Sequence, residues 1–450
     1  MAFVVSRVVY YGKGIRFDIS TIDSFAQLLD RVLLRERLAE SLLYLHSQPP
    51  LYNLLTGVAL KLDAGQPERL LWPLFMAAGL YTAWCLYFIL LELSAPWPIA
   101  AALAAFITTS PPFELFENWY FYPHLDVAWL VGAVAWLCHS RGCAGKSLAI
   151  SASHLVGLSL TRSLFHPLFY GLAALITVVL IGAGARRRAL ACFAVPGLLL
   201  FAWCAKNLLI FGFFGTSSWA SRNFSHSVVQ LLGPERVLAE VRLGHLSPAA
   251  TLAPFESGER NVQAFGLPAH ATGVPALDNT RKAYGTPLPV NYNHWSYPPS
   301  ARFYAADTRH LLAQYPVAYL RAIAERSVRV FFAPVDQDGY VMANRHKIVQ
   351  VSQAFDALDQ SGLAHWLLGV GLTLAALCAP WASRGRRMVL ALSLFAICWA
   401  GLVGIFGDFG ENYRFRYEVL WFGWVIAAAG YFCAARAAGC AFWEARRAFR

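Results

Sequence analysis

The chain has 450 residues, of which 57% are hydrophobic and 14% are charged. One soluble globule of this size cannot bury that much apolar surface, which includes 15 Trp, so the composition excludes a soluble domain and predicts an integral membrane protein. The net charge of +11 comes mostly from basic clusters in short loops and is a topology signal, so it does not imply binding to nucleic acid.

Uncharged runs of bilayer length, roughly 20 residues each, recur along the chain. The clearest runs are 70–91, 93–113, 163–185, 361–383 and 388–407, and weaker ones are 123–140, 147–161, 189–212 and 419–435. The first residues, MAFVVSRVVYY, supply about half a span before Lys13, and we interpret them as part of a truncated first helix. The sequence therefore predicts an all-α polytopic membrane protein of about ten transmembrane helices, with interfacial helices and an extracytoplasmic cap.

Basic residues of short loops stay on the cytoplasmic side, and four such clusters fall on one side of these spans. That parity places 18–69, 112–125, 213–362 and 407–418 on the outer side. We therefore expect a multi-pass protein of the cytoplasmic (inner) membrane whose active site faces outward. Three regions follow, namely a transmembrane module at 1–212 with its first outer loop at 18–69, a cap at 213–362, and carboxyl-terminal helices at 363–450.

Two outer segments are too long to be simple connections. In the first, Leu34, Leu38, Leu42 and Leu45 share one helical face, which predicts a helix lying flat on the outer leaflet. The apolar run 51–62 is only about a dozen residues long, which favours an interfacial or re-entrant helix over a crossing. A crossing there would move all four basic clusters to the outer side. The second segment is irregular in composition up to about residue 300 and then predicts a surface helix that supports the cap.

Polar and charged side chains lie at the outer ends of the predicted spans. Because such side chains are costly to place beside a membrane, their presence there indicates a functional site. They are Asp18 and Asp23; His46, Gln48 and Asn53 in HSQPPLYN; Glu117 and Asp126 in FENWYFYPHLD; Arg162 and His166 in TRSLFHP; Lys206; and Arg414 and Arg416 in ENYRFRYEVL. Acids, cations and aromatic rings together suit a substrate that is part lipid, part phosphate and part sugar. Arginine suits the phosphate because its planar fork can donate two hydrogen bonds.

An early Asp, the pattern H-x-x-P-P-L-Y at the end of the first outer loop, an acid in the second loop and a late outer domain resemble the GT-C superfamily of membrane glycosyltransferases. The most similar branch is glycosyltransferase family 39, which includes protein O-mannosyltransferases and bacterial aminoarabinose transferases of lipid A. The resemblance covers residues 1 to about 210. It implies inverting transfer of a sugar from a polyprenyl-phosphate donor to a hydroxyl or amine of a lipid, glycan or protein acceptor, with membrane lipids around the chain.

The same resemblance implies that Asp18 is the catalytic base, with Asp23 as the alternative. Glu117, or else Asp126, would be the second-loop acid that orients the acceptor or holds a divalent cation, and no other cofactor or metal ligand set is predicted. Arg162, Arg414 and Arg416, with Lys206 behind them, would stabilise the departing phosphate. We expect His46, Gln48, Asn53, Asp126 and His166 to contact substrate. The alternatives are a lipid or glycan transporter or flippase, and a noncatalytic membrane assembly protein.

Overall fold

The computed structural model describes residues 1–93, 95–139, 145–180, 185–253, 255–268, 271–285, 287–332, 335, 339, 341–361, 367, 369–371, 373–375, 377, 399, 401–405 and 412–448. Regular structure in these residues is helical. Pairing of extended backbone is limited there to two single bridges, Asp18 with Trp119 and Arg281 with Val290.

The first half of the described chain consists of membrane-type helices and the short helices of the first loop. They are Ala2–Gly12, Thr21–Ser24, Arg31–Glu36, Leu38–Leu43, Pro50–Leu62, Glu68–Glu92, Trp97–Thr108, Pro111–Glu117, Tyr122–His139, Gly145–Thr161, Pro167–Leu180 and Arg186–Phe211. The second half is built from shorter helices and one long terminal helix. They are Ala220–Val229, Pro234–Arg242, Pro248–Thr251, Gly258–Phe265, Pro275–Asp278, Tyr297–Gln314, Pro316–Phe332, Met342–Arg345, His346–Ile348, Val349–Asp359 and Asn412–Ala448.

Three described helices are long and apolar enough to cross a membrane, and they are Glu68–Glu92, Arg186–Phe211 and Arg414–Ala438. The predicted span 93–113 is instead a bent pair, in which Trp97–Thr108 and Pro111–Glu117 meet at 57°. The bend falls directly before Pro111, because a residue that precedes proline is disfavoured in the helical region.

The other predicted spans within the described residues also coincide with helices, so the predicted class of all-α polytopic membrane protein is confirmed. Predicted spans 361–383 and 388–407 lie largely outside the described residues.

The leucine-rich part of the first loop differs from its prediction. It forms two short helices, Arg31–Glu36 and Leu38–Leu43, and its apolar face packs on Pro50–Leu62. Leu34 is fully buried, and the Leu38 side chain fills the space beside Gly57, where a Cβ atom would overlap it. This face therefore contacts protein instead of an open leaflet, because a glycine on the facing helix permits the close approach.

The cap has an apolar cluster of its own, which includes Val228, Leu246 and Leu311. Helix Pro316–Phe332 lies beside it, as the sequence predicts, and its buried Arg326 donates hydrogen bonds to the hydroxyl (2.7 Å) and carbonyl (2.9 Å) of Ser227. The division into regions 1–212, 213–362 and 363–450 stays a prediction.

Candidate functional site

A cavity of about 150 Å³ brings together four of the residues that the sequence singles out, Gln48, Arg162, His166 and Arg414. We call it the arginine cavity. Its other lining residues are Ala26, Gln27, Tyr122, Ser163, Leu164, Trp219, Ala220, Asn223, His226, Ser227, Gln230, Phe255 and Phe415. The cavity is therefore formed where the first loop, the ends of the membrane-type helices and the start of the cap meet.

Arg162 follows helix Gly145–Thr161. Two carboxylates that do not line the cavity pair with its guanidinium group. Its guanidinium forms ion pairs with Asp126, at 3.4 Å, and with Glu418, and both acids are fully buried. Ion pairing fixes the direction of a long side chain that would otherwise sample many rotamers. Asp126 thus lies behind the cavity wall, and its predicted contact with substrate stays a prediction.

Arg414 lies near the start of the long terminal helix and is also buried. Its guanidinium carbon is 5.5 Å from the centre of the Phe415 ring, and that of Arg162 is 4.7 Å from the same ring. Both guanidinium groups therefore lie within cation–π distance of one ring. The acids Asp126 and Glu418 balance part of this positive charge from behind the wall.

The remaining wall offers amides, imidazoles and aromatic rings. Asn223, His226, Ser227 and Gln230 follow one another at positions i, i+3, i+4 and i+7, so they share one face of helix Ala220–Val229 and its end. The sequence analysis did not select His226 or Gln230, although this spacing in SRNFSHSVVQ was the signal that would have found them. Amide groups both donate and accept hydrogen bonds, which suits a sugar with several hydroxyls.

His46 is fully buried and joins the first loop to the cap. Its Nδ1 is 2.8 Å from the hydroxyl of Ser218, and its Nε2 is 3.1 Å from the backbone carbonyl of Asn293. Burial lowers the pKa of His46 to about 3, so the ring is neutral, with Nε2–H donating to Asn293 and Nδ1 accepting from Ser218. These two bonds join the first loop to the cap, and the predicted substrate contact at His46 stays a prediction.

Asn53 and Lys206 also hold the first loop and do not line the arginine cavity. The Asn53 amide accepts from the N–H of Leu29 at 2.8 Å and donates to the carbonyl of Gln27 at 3.0 Å. The ammonium group of Lys206 donates to the carbonyl of Leu45 at 2.5 Å. Both predicted contacts with substrate stay predictions, and Asn53 positions Gln27, which lines the cavity.

Glu117 forms a two-point ion pair with Arg7 instead of reaching the arginine cavity. The Arg7 Nε and Nη2 atoms donate to its two carboxylate oxygens at 2.9 and 2.7 Å, and Glu117 is fully buried. The sequence signal for this ion pair is Arg7, because a cation in an apolar segment needs a partner of opposite charge. The predicted catalytic role of Glu117 stays a prediction.

Arg416 is likewise placed away from the arginine cavity, in an ion pair with Asp359 at 2.5 Å. The pair joins the long terminal helix to Val349–Asp359. Arg416 is two positions after Arg414, so the two side chains leave different faces of the helix. Its predicted role in binding substrate stays a prediction.

Asp18 is partly exposed and is not among the lining residues of the arginine cavity. Its carboxylate accepts from the N–H of Ser20 at 2.8 Å, and its backbone pairs with the segment around Trp119. In that pairing its carbonyl accepts from the N–H of Tyr120 at 2.8 Å. The alternative base, Asp23, forms an ion pair with Arg31 at 3.1 Å.

The lining residues of the arginine cavity include no acid, so among described residues this wall offers a cation no carboxylate ligand. The lining residues that carry a permanent positive charge are Arg162 and Arg414.

No family model and no curated protein matches the chain. Among solved structures it is similar to the apo oligosaccharyltransferase of Archaeoglobus fulgidus, with 12% identity, a TM-score of 0.38, and coverage of 95% of this chain and 49% of that chain. It is also similar to ArnT from Cupriavidus metallidurans bound to undecaprenyl phosphate, with 13% identity, a TM-score of 0.33, and coverage of 97% of this chain and 77% of that chain.

Both are GT-C glycosyltransferases, the superfamily that the sequence resembles. The chain spans about half the length of the oligosaccharyltransferase. Because both TM-scores are below 0.5, the function proposed below rests on the side chains of this chain.

Proposed function

We propose that the chain is a membrane glycosyltransferase that moves a sugar from a polyprenyl-phosphate-linked donor to a hydroxyl or amine of an acceptor at the outer face of the cytoplasmic membrane. The observation that carries the proposal is the pair Arg162 and Arg414, two buried cations beside one ring, Phe415, in a cavity lined by amides and aromatic rings.

The two arginines would bind the phosphate of the donor. When the bond between sugar and phosphate breaks, the phosphate gains negative charge, and donors already aimed at it stabilise that charge without reorganisation. Asp126 and Glu418 support this role because their ion pairs hold Arg162 in a fixed orientation. Charge-assisted hydrogen bonds of this kind are about twice as strong as neutral ones.

The sugar would lie against the cap side of the arginine cavity. Gln48 and Asn223 offer amide groups to its hydroxyls, and the Trp219 ring, which stacks on Phe255, offers an aromatic face. Gln48 belongs to the first loop and Asn223 to the cap. Residues of two separate regions would therefore decide which sugar is accepted.

Asp18 is the proposed general base, which accepts the proton that the acceptor loses during attack. The support is its partly exposed carboxylate and the pairing of its segment with residues 118–120, two positions before Tyr122 on the cavity wall. Catalytic groups often come within hydrogen-bond reach only when substrate is bound.

The test is a donor screen with the purified chain in detergent. Polyprenyl-phosphate donors with different sugars are each mixed with candidate acceptors, and release of free polyprenyl phosphate is followed by mass spectrometry. We expect release with at least one donor and its loss in Arg414→Gln. A folded protein that releases no sugar from any donor, but moves labelled lipid between leaflets of liposomes, would replace this proposal with a transporter.

A further inference from the structure

Three side chains of the cap that can bind a metal lie close together. Glu240 is on helix Pro234–Arg242, His245 follows that helix, and His310 is on Tyr297–Gln314. One ligand atom from each lies within 4.8 Å of the other two, and His245 Nδ1 is 2.9 Å from a carboxylate oxygen of Glu240. Donor atoms around Zn²⁺ lie roughly 3.3 Å apart, given bonds of about 2.0–2.1 Å, so small side-chain rotations would close this set.

A tight turn brings the first two ligands together. Helix Pro234–Arg242 ends before Gly244, whose φ of 75° is in the left-handed region that glycine adopts without strain. The chain then turns back, and the N–H groups of His245 and Leu246 both donate to the carbonyl of Glu240, at 3.0 and 3.3 Å. The backbone therefore keeps the His245 ring beside the Glu240 side chain.

A separate pair of hydrogen bonds holds the third ligand, His310, near this turn. The carboxylate of Asp307 accepts hydrogen bonds from the N–H (2.8 Å) and the hydroxyl (2.7 Å) of Ser247. Asp307 precedes His310 by three residues and so lies on the same face of its helix. Leu246 and Leu311 are buried in the same apolar cluster. These contacts fix the turn against the helix that carries His310.

We propose that Glu240, His245 and His310 form a binding site for a first-row divalent cation, Zn²⁺ in particular. Two imidazoles and one carboxylate are ligands that Zn²⁺ accepts, whereas Mg²⁺ and Ca²⁺ prefer oxygen alone. His245 is exposed and the other two ligands are partly exposed, so water or an external group can complete the coordination. The bound ion would link two helices of the cap. None of the three lines the arginine cavity, so this inference is independent of the proposed glycosyl transfer.

The test uses the full chain in detergent, with any affinity tag removed and stripped of metal with a chelator. Zn²⁺ is titrated by calorimetry, and Co²⁺ is titrated by its visible absorption, which reports nitrogen and oxygen ligation. The variants are His245→Ala and His310→Ala, with His346→Ala as a matched control, because His346 is also an exposed histidine but lies outside the cluster.

We expect one Zn²⁺ per chain for the unaltered protein and for His346→Ala, and at least about a tenfold loss of affinity in each of the other variants. Zn²⁺ should also raise the unfolding temperature of the unaltered protein, because a ligand that binds only the folded state stabilises it. If His310→Ala binds Zn²⁺ as tightly as the unaltered chain, or if the unaltered chain binds no stoichiometric Zn²⁺, the inference is overturned.

Discussion

Arg7 forms a two-point ion pair with Glu117, in which its Nε and Nη2 atoms lie 2.9 and 2.7 Å from the two carboxylate oxygens. A third contact, at 3.0 Å, joins Arg7 to Glu114. The pair connects helix Ala2–Gly12 to the bent pair of helices that ends at Glu117. All three side chains are buried, so the short first helix is held in place by charge as well as by apolar packing.

Removing one member of this pair should destabilise the protein. Arg7→Met leaves two acids buried without their cation, and Glu117→Gln removes one charge from the same contact. Breaking a buried ion pair costs about 3–5 kcal/mol, whereas replacing both partners by apolar residues costs less. We expect Arg7→Met to lower the unfolding temperature strongly and Arg7→Met combined with Glu117→Met to recover part of the loss. A Glu117→Gln variant of unaltered stability that has lost turnover would support the predicted catalytic role of Glu117.

Arg414 and Arg416 provide a matched comparison on one helix. Arg414→Gln should lower kcat/KM for the donor by about 10- to 100-fold, because a hydrogen bond to a charged group is worth about 1.5–3 kcal/mol. The kcat/KM of Arg414→Lys should lie between those of the unaltered chain and of Arg414→Gln, since lysine keeps the charge but lacks the planar fork. Arg416→Gln should instead lower thermal stability, by breaking its pair with Asp359, with little change in donor KM. Equal effects of both substitutions on donor KM would contradict the assignment of the arginine cavity.

The pKa of His46, lowered to about 3 by burial, predicts an acid-sensitive stability. Below its ordinary value of 6.5 the unfolded chain takes up a proton on this ring, but the folded chain does not. The unfolded state then binds more protons, so stability falls as the pH decreases from about 6.5 towards 3, by at most about 1.4 kcal/mol per pH unit. Above 6.5 the contribution of His46 is fully present.

The measurement is the unfolding free energy of the unaltered chain and of His46→Gln from pH 7 to pH 4.5. The variant should be less stable at pH 7, because Ser218 and Asn293 lose their partner. Its stability should also depend less on pH than that of the unaltered chain. Parallel curves for the two proteins would show that His46 does not titrate on unfolding.

The sequence predicts the helices well because apolar runs of bilayer length leave the backbone few alternatives. Arg162 and Arg414 were also predictable, as cations at the ends of spans. The ion pairs of Glu117, Asp126 and Arg416 were not predictable, and the reason is common to all three. Each was identified as an outward polar residue, but each pairs with a residue distant in sequence, namely Arg7, Arg162 and Asp359. Such pairs depend on how helices pack, which the spacing within one helix does not specify.

The site of proton transfer is tested by Asp18→Asn, which keeps the shape and the hydrogen bond from the Ser20 N–H but cannot accept the proton at neutral pH. A general base contributes about 10²- to 10⁴-fold, so we expect kcat to fall within that range while donor KM changes little. Asp23→Asn is the control, since Asp23 is engaged with Arg31 at a partly exposed position and such pairs add at most about 1 kcal/mol. Turnover that survives in Asp18→Asn and disappears in Asp23→Asn would move the base to Asp23, and turnover in both would require a base outside this pair.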